Sequence, residues 1–204
     1  MPKTSKTSYH HGDLRQALLT AGYRVLKEDG LDALSLRRVA REASVSPAAP
    51  YRHFKDKQAL LAAISEQGFR QLRSMLDESN EASPGDLNAS GLAYVQFAIK
   101  NPEVYRLMFT HNVMCDENLD ESLKDAGSNA FLALANTIDS GIAKKEIAKT
   151  DSHALALSSW ALVHGVAMLI IDGVLAGGPF SELSHEQILK TALSYFKAGW
   201  QPIK

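Results

Sequence analysis

Apolar residues recur every three or four positions along most of the chain, which is the spacing of an amphipathic α-helix. No run alternates apolar and polar residues with the period of two that indicates a β-strand, and no segment is repeated. The pattern therefore predicts an all-α protein of about nine helices. The predicted spans lie near 13–28, 36–43, 46–54, 57–81, 87–100, 102–110, 119–142, 150–176 and 184–200.

The second and third predicted helices form one continuous motif. Ser35 is a good N-cap for the first of them, residues 43–45 fit a short turn, and Ser46-Pro47 fits the start of the next. A helix, a tight turn and a second helix is the arrangement that places a recognition helix in the DNA major groove. The alternative is that these two short helices only pack against each other, as many do in α-proteins.

Charge is distributed unevenly along the chain, although its net value is only −1. Residues 1–60 contain eleven Lys and Arg against six Asp and Glu, and the remainder contains eleven against seventeen. A basic head on an acidic body is therefore predicted, and a basic face supplies the salt-dependent phosphate part of DNA affinity. The polar tail 1–12, with Lys3 and Lys6, is either a basic arm along DNA or only a solvated tail.

Cysteine usage and hydropathy indicate the compartment. Cys115 is the only cysteine, so no intramolecular disulfide is possible and a reducing, cytoplasmic location fits. The first residues lack the apolar core of a signal peptide. The longest apolar stretch, Trp160 to Ile171, contains His164 and is expected to be too short to span a membrane.

The predicted helix 57–81 is about 37 Å long, enough to link a head to a body. We therefore predict a DNA-binding domain at 10–56 and a ligand-binding and dimerisation domain at 57–200. Ser83-Pro84-Gly85 is the clearest break in the pattern.

Residues 10–70 resemble the N-terminal domain of TetR-family bacterial transcriptional regulators. The shared elements are a hydroxyl residue opening the second helix, an apolar-Ala pair, a turn of Ala-Gly-Val-Ser type, a Tyr-x-His-Phe ending and a following lysine. They are present here as Ser35, Val39-Ala40, 43–46, 51–54 and Lys57. Two departures stand out: Ser44 replaces the turn glycine, and Pro50 lies inside the recognition helix, so we expect that helix to be short or distorted.

The resemblance implies roles for individual side chains of the head. The DNA backbone would be contacted by Tyr51, His53, Lys57, Ser35 and Arg37. The groove floor would be faced by Ser46, Ala48 and Ala49.

Arg52 has two open roles, since its guanidinium fits guanine but also fits a phosphate or solvent. Phe54 is expected in the core.

A second resemblance lies in the body. Trp160, His164 and Gly165 resemble the Trp-x-x-x-His-Gly signature of a C-terminal domain in one subgroup of this family, and Tyr9-His10-His11-Gly12 is typical of the same subgroup. The resemblance implies an Ω-shaped homodimer that binds a double-stranded operator and a small-molecule effector. The last two long helices are the expected dimer faces.

One face of the body raises an open question. Trp160, His164 and Met168 lie at i, i+4 and i+8, and they form either a pocket wall or a helix core whose histidine bonds to a neighbour. Candidate pocket residues besides these three are Phe97, Tyr105, Met108, Phe109 and Phe131.

Catalysis finds little support in the sequence. His10 and His11 are adjacent and cannot share a metal from one helix face, and Cys115 lies beside acidic residues that would raise a thiol pKa. No phosphate-binding glycine loop or nucleophile elbow is present. We expect no catalytic residues, no metal site and no cofactor.

The leading hypothesis is a ligand-responsive DNA-binding regulator, expected to be a repressor. Two alternatives from other classes stay open at this point. One is an all-α carrier or enzyme of small molecules whose head no longer binds DNA, which the departures at Ser44 and Pro50 motivate. The other is a helical interaction module for another protein.

Overall fold

The structure, a computed structural model, describes residues 11–110 and 120–197, and the regular elements within those ranges are all helical. The predicted all-α fold is confirmed. The tail 1–10, the predicted loop with Cys115, and Trp200 lie outside the described residues. The α-helices are α1 His11–Ala33, α2 Leu36–Glu42, α3 Lys57–Ala82, α4 Leu87–Lys100, α5 Pro102–Met108, α6 Glu121–Ala143, α7 Ser152–Ile171 and α8 His185–Lys197.

Side-chain caps fix where most of these helices begin. Ser35 accepts a hydrogen bond from the Arg38 amide, and Asp56 accepts one from the Ala59 amide, as the sequence predicts. Ser184 and Gln187 form the predicted capping box before α8, with Ser184 N–H donating to Gln187 Oε1 at 2.8 Å. Three other helices begin at an aspartate N-cap, whose side chain accepts hydrogen bonds from backbone amides of the first turn: Asp86, Asp120 and Asp151.

Glycines with positive φ interrupt helices at two places. Gly30 has φ 81° and breaks α1 near the predicted end of that helix. Gly173 has φ 70° and follows α7, which ends at Ile171 rather than near residue 176 as predicted. The expected last turn is instead a 3₁₀ turn, Val174–Ala176, because a left-handed residue cannot continue a right-handed helix. A second boundary prediction is also wrong: α1 starts at His11, before Asp13, which therefore lies inside it.

The core of the protein is arranged around α3. Its first turns pack against α1, where Leu60 and Ile64 are buried beneath Gly22. Its later turns pack along α6, with additional contacts to α4 and α5. The buried side chains of the head and of most of the body consequently form one continuous cluster, from Leu18 to Leu193.

The turn between α3 and α4 packs on the end of α6 through two facing glycines. Gly85 has φ 87°, and a Cβ added there would lie 2.7 Å from the Cα of Gly141. A Cβ at Gly141 would in turn lie 2.6 Å from Ile147 Cδ1. The break predicted at Ser83-Pro84-Gly85 is confirmed, because α3 ends at Ala82 and α4 begins at Leu87.

Helix α7 is unusual for its apolar exposed side. It has 20 residues, more than the apolar stretch Trp160 to Ile171 that the sequence singled out, and by length and composition alone it could cross a membrane. Core helices of water-soluble proteins pass the same test when they are mostly buried. Here only 28% of the most apolar window is buried, which leaves an apolar face of α7 uncovered in the single chain.

Two helical glycines should respond oppositely to alanine. At Gly127 an added Cβ would meet only the Phe69 ring, at 3.9 Å, so Gly127→Ala should raise the free energy of unfolding by about 1 kcal/mol through helix propensity. At Gly68 it would lie 2.6 Å from Met108 Sδ and 3.0 Å from Val104 Cγ1. Gly68→Ala should therefore destabilise by about 1–3 kcal/mol. Urea unfolding of both variants checks this, and equal effects would contradict the packing described.

Candidate DNA-binding surface and ligand cavity

The turn after α2 is held by a serine in a conformation that favours glycine. Ser44 has φ 55°, so it adopts the left-handed conformation that glycine adopts easily at this position of the family pattern. The amides of Ser44 and Val45 donate to Arg41 O and Ala40 O, which satisfies the carbonyls at the end of α2. The departure at this position therefore leaves the turn intact, and Val45 packs against the core.

The recognition segment is not an α-helix. Residues 46–49 form a turn, and Pro50–Arg52 adds a single 3₁₀ turn. Ala49 N–H bonds to Ser46 O, and His53 N–H bonds to Pro50 O, both over three residues. Pro50 has no N–H with which to continue a four-residue ladder, and its ring is buried. The predicted short, distorted helix is thus confirmed, and an α-helix from Ser46 onward is not observed.

The head exposes most of the residues to which the resemblance gives DNA contacts. Tyr51 is 53% exposed although it is a large aromatic residue. Phe54 lies in the core as expected, 2% exposed, with the Arg15 guanidinium 5.6 Å from its ring centroid. Ala49 is half-buried. The other exposed members of the predicted set are Ser35, Arg37, Ser46, Ala48, Arg52 and Lys57.

Of the three arginines on α2, one is held by ion pairs within the fold. Arg38 is half-buried and pairs with Asp29 at 2.9 Å and with Glu42 at 3.0 Å. Hydrogen bonding to Asp29 raises the pKa of Arg38 above its usual value. Arg37 and Arg41 are exposed and border a shallow depression with Pro47. Arg41 is therefore a candidate phosphate contact that the prediction missed, although its i, i+4 spacing from Arg37 indicated a shared face.

Two residues that are predicted to contact the DNA backbone, Lys57 and His53, are restricted by their own surroundings in the protein. Lys57 begins α3, and its Nζ donates to Leu31 O at 3.1 Å, so a phosphate contact requires this side chain to move. His53 is half-buried, and its Nε2 is buried without a hydrogen-bond partner among the described residues. Either ring rotation or the Nδ1 edge would be needed for His53 to reach DNA.

A cavity of about 210 Å³ lies in the body between α3, α4, α6, α7 and α8. None of the described residues that line it carries a charge. Its walls are mainly aromatic and aliphatic. The lining consists of Phe69, Leu72, Leu76, Leu87, Ser90, Gly91, Tyr94, Phe109, Gly127, Ala130, Phe131, Leu134, Ser159, Trp160, Val163, Leu193 and Phe196.

Three of the eight predicted ligand residues line this cavity: Phe109, Phe131 and Trp160. The other five lie outside its lining. Phe97, Tyr105 and Met108 are fully buried and fill the core between helices, while Met168 packs against the core half-buried. The remaining one, His164, faces a hydrogen-bonded cluster of aromatic side chains beside the cavity.

This cluster, which we call the tyrosine–histidine cluster, comprises Tyr94, Tyr105, Trp160 and His164. His164 Nδ1 lies 2.7 Å from Tyr105 Oη and 3.2 Å from Tyr94 Oη. The two tyrosine hydroxyls are 2.9 Å apart, and Trp160 Nε1–H donates to Tyr94 Oη at 3.0 Å. His164 thus bonds to neighbours, as the core interpretation of this face expected, while Trp160 and Tyr94 carry the cluster to the cavity wall.

Burial keeps the cluster uncharged near neutral pH. Desolvation raises the pKa of Tyr94 to about 12 and also raises the pKa of Tyr105. It lowers the pKa of His164, because burial disfavours the imidazolium form. Tyr94 and Trp160, the two members of the cluster that line the cavity, therefore present a neutral wall to it.

Two further lining residues were not predicted. Ser90 and Ser159 are buried, and neither hydroxyl oxygen has a hydrogen-bond partner within the described part of the chain. Ser90 lies one turn before Tyr94 on α4, and Ser159 lies beside Trp160 on α7. Hydroxyl residues on the apolar face of a helix were the signal available in the sequence, and the periodicity did not single them out.

Two family models match the chain. Residues 18–64 match the model described as bacterial regulatory proteins, tetR family. Residues 87–193 match the model of the tetracyclin repressor-like C-terminal domain. Together they cover the helix-turn-helix segment and most of the residues that line the cavity.

Solved structures agree in fold over nearly the whole chain. A protein of unknown function from Rhodococcus sp. RHA1 is 34% identical, with a TM-score of 0.82, over 97% of this chain and all of its own. A putative TetR-family transcriptional regulator from Rhodococcus sp. is 23% identical, with a TM-score of 0.62, over 92% and 98%. One from Mesorhizobium loti MAFF303099 is 14% identical, with a TM-score of 0.73, over 96% and 100%.

His164 should make stability depend on pH in a defined direction. Because its pKa is lowered by folding, its contribution is fully present above the usual histidine pKa of about 6.5 and is lost as pH falls below it. The wild-type free energy of unfolding should therefore decrease from pH 7.5 to 5.5 more than that of His164→Asn. Urea unfolding at both pH values measures the difference. His185→Asn, at an exposed site, should follow the wild type, and identical slopes for all three proteins would contradict the assignment.

Proposed function

The chain belongs to the tetR family of bacterial regulatory proteins and is a DNA-binding transcriptional regulator, and we propose that it is a repressor released from a palindromic operator by a small-molecule effector. Membership implies DNA binding, effector binding and dimerisation in general terms. The observation that carries the specific proposal is α3, which begins at the DNA-facing surface and lines the cavity further along.

The distance along α3 is short enough for direct coupling. Lys57 is its first residue, and Phe69, Leu72 and Leu76 form part of the cavity wall. Twelve residues separate Lys57 from Phe69, or about 18 Å at 1.5 Å per residue. A ligand that repositions these cavity residues would therefore move the end of the helix that borders the DNA surface.

We assign the head residues to two kinds of contact. Arg37, Arg41, Tyr51 and Lys57 would bind phosphates, together with the hydroxyl of Ser35. Because the recognition segment is one 3₁₀ turn with small side chains before it, few groups are left to read bases. These are Ser46, Ala48, Ala49 and Arg52. The methyl groups of the two alanines suit thymine, and the Arg52 guanidinium suits guanine. Most of the affinity should then come from phosphates.

The apolar exposed side of α7 supports a dimer interface there. Leu157 is 56% exposed and Leu169 is 42% exposed. Gly165 lies on the same helix, and a Cβ added to it would meet no described atom within 4 Å. A glycine that no intramolecular contact requires fits the close approach of a second helix. On α8, Tyr195 is 82% exposed, and we propose that α7 and α8 of two protomers form a four-helix interface.

The regulatory mechanism follows from this geometry. A dimer would present two heads about one DNA turn apart, roughly 34–36 Å, and an effector would favour a state with a different spacing. Coupling of this kind is typically about 1–3 kcal/mol. We place the DNA-binding domain at 10–56 and the effector and dimerisation domain at 57–200, and we expect the protein to act in the cytoplasm.

Removing one phosphate contact should weaken binding to all sequences alike. An operator is first selected from random duplex DNA with the full-length protein, and its affinity is measured from 50 to 200 mM salt. Lys57→Ala and Arg41→Ala should each flatten the slope of log affinity against log salt by about two, because the dimer loses one phosphate contact from each protomer. Lys149→Ala, an exposed lysine of the body, should leave the slope unchanged.

Failure to select any duplex at low salt would overturn the function itself. An unchanged slope for Lys57→Ala with lowered stability would instead show that the Lys57 contact to Leu31 O is its whole role.

A charge on the outer side of α7 should dissociate the dimer. Leu157→Glu would bury an unpaired carboxylate from each protomer, which should weaken association by about 3 kcal/mol, or more than a hundredfold. Sedimentation velocity at several concentrations measures this. Leu132→Glu changes a leucine of α6 that is also exposed, at 40%, and should leave the wild-type assembly intact. Equal effects of the two substitutions would place the interface elsewhere.

A further inference from the structure

We propose that the cavity binds a small uncharged aromatic molecule, about the size of a substituted benzene ring, whose single hydroxyl or carbonyl group is held by Ser90 and Ser159. If the protein is the regulator proposed above, this molecule is its effector, and only that identification rests on the proposed function. The binding site itself is argued from the cavity, its lining and its two unpaired hydroxyls.

The volume limits the size of the ligand. A dry, apolar protein cavity of about 150 Å³ accommodates benzene. The cavity here is about 210 Å³, so one ring and a short substituent fill it. A larger multi-ring molecule would require the surrounding helices to separate.

The lining limits the charge and favours a flat, aromatic shape. Phe69, Phe109, Phe131 and Trp160 contribute rings to the wall, and such rings pack favourably against another ring in edge-to-face or offset geometry. A carboxylate or ammonium group would have no counterion among the described lining residues, and burying an unpaired charge is costly. Tyr94 does not supply one, because burial raises its pKa to about 12. The ligand is therefore neutral.

The two serines define where the polar group lies. Serines inside a helix commonly donate to the carbonyl four residues earlier, as Ser158 does to Ala154 O at 3.1 Å and Ser140 does to Asn136 O at 2.8 Å. Ser90 and Ser159 do not, although they are only 1% and 4% exposed. Each is on a different helix, and both residues line the same cavity. Their oxygen atoms are themselves enclosed, so each side chain must rotate to meet a ligand group. A hydroxyl left unpaired in an apolar site destabilises the protein until a ligand group bonds to it.

The test compares three probes of similar shape on the full-length protein at pH 7.5: benzyl alcohol, toluene and benzoate. Calorimetric titration should show benzyl alcohol binding about three- to tenfold more tightly than toluene, which is what one or two net hydrogen bonds provide. Benzoate should not bind measurably. The double variant S90A/S159A should lose the preference for the alcohol while keeping its affinity for toluene.

A second readout needs no ligand. Because the substitutions remove unpaired buried hydroxyls, the unliganded S90A/S159A protein should melt about 2–4 °C higher than the wild type. Ser65→Ala is the matched control, since Ser65 on α3 is also buried with an unpaired hydroxyl but does not line the cavity. It should raise the melting temperature without changing the preference for benzyl alcohol.

The outcomes separate this inference from the proposed function. Absence of binding by benzyl alcohol, equal binding by benzoate, or a preference that survives in S90A/S159A would each overturn the ligand assignment, even if the protein binds its operator. Serine-dependent binding of benzyl alcohol by a protein that binds no duplex DNA would support the assignment and overturn the regulatory function.

Discussion

The burial of α3 along its length is the constraint on which the rest of the structure depends. Its first turns complete the core of the head through Leu60 and Ile64, and its later turns complete the body through Phe69 and Leu72. Because both sets belong to one cluster, the head is not free to tilt without disturbing the packing of the body. The tight contacts at Gly68 have the same effect, since they fix α3 against α5.

The packing of the helices is incomplete at the cavity. An apolar void forfeits dispersion contacts, and two buried hydroxyls without partners add a desolvation cost. Replacing Ser90 and Ser159 by alanine would remove this desolvation cost. The tyrosine–histidine cluster beside them is itself hydrogen-bonded, so among these polar groups the cost falls on the two serine hydroxyls.

The sequence predicted the fold well and the cavity poorly, for physical reasons. Helical periodicity and caps such as Ser35 and Asp56 act locally, so they can be recognised without a structure. Periodicity also identifies which face is buried, but it does not distinguish a residue beside a void from one beside another side chain. Phe97 and Phe109 look alike in the sequence, yet only Phe109 borders the cavity. The ion pair of Arg38 with Asp29 was missed because Asp29 belongs to a different helix.

Phe109 shows how occupancy of the cavity can reach the head by a second route. Its ring lies 4.6 Å from the His164 ring and 5.5 Å from the Phe69 ring, measured between centroids, and it borders the cavity at the end of α5. Helix α5 packs on both α1 and α3. A ligand ring that displaces Phe109 would therefore press, through the short helix α5, on α1 of the head and on α3, which joins the head to the body. Coupling through a packed element of this kind requires two discrete arrangements. The edge-to-face contacts of Phe109 with Phe69 and His164 provide one, and loss of those contacts on ligand entry would define the other.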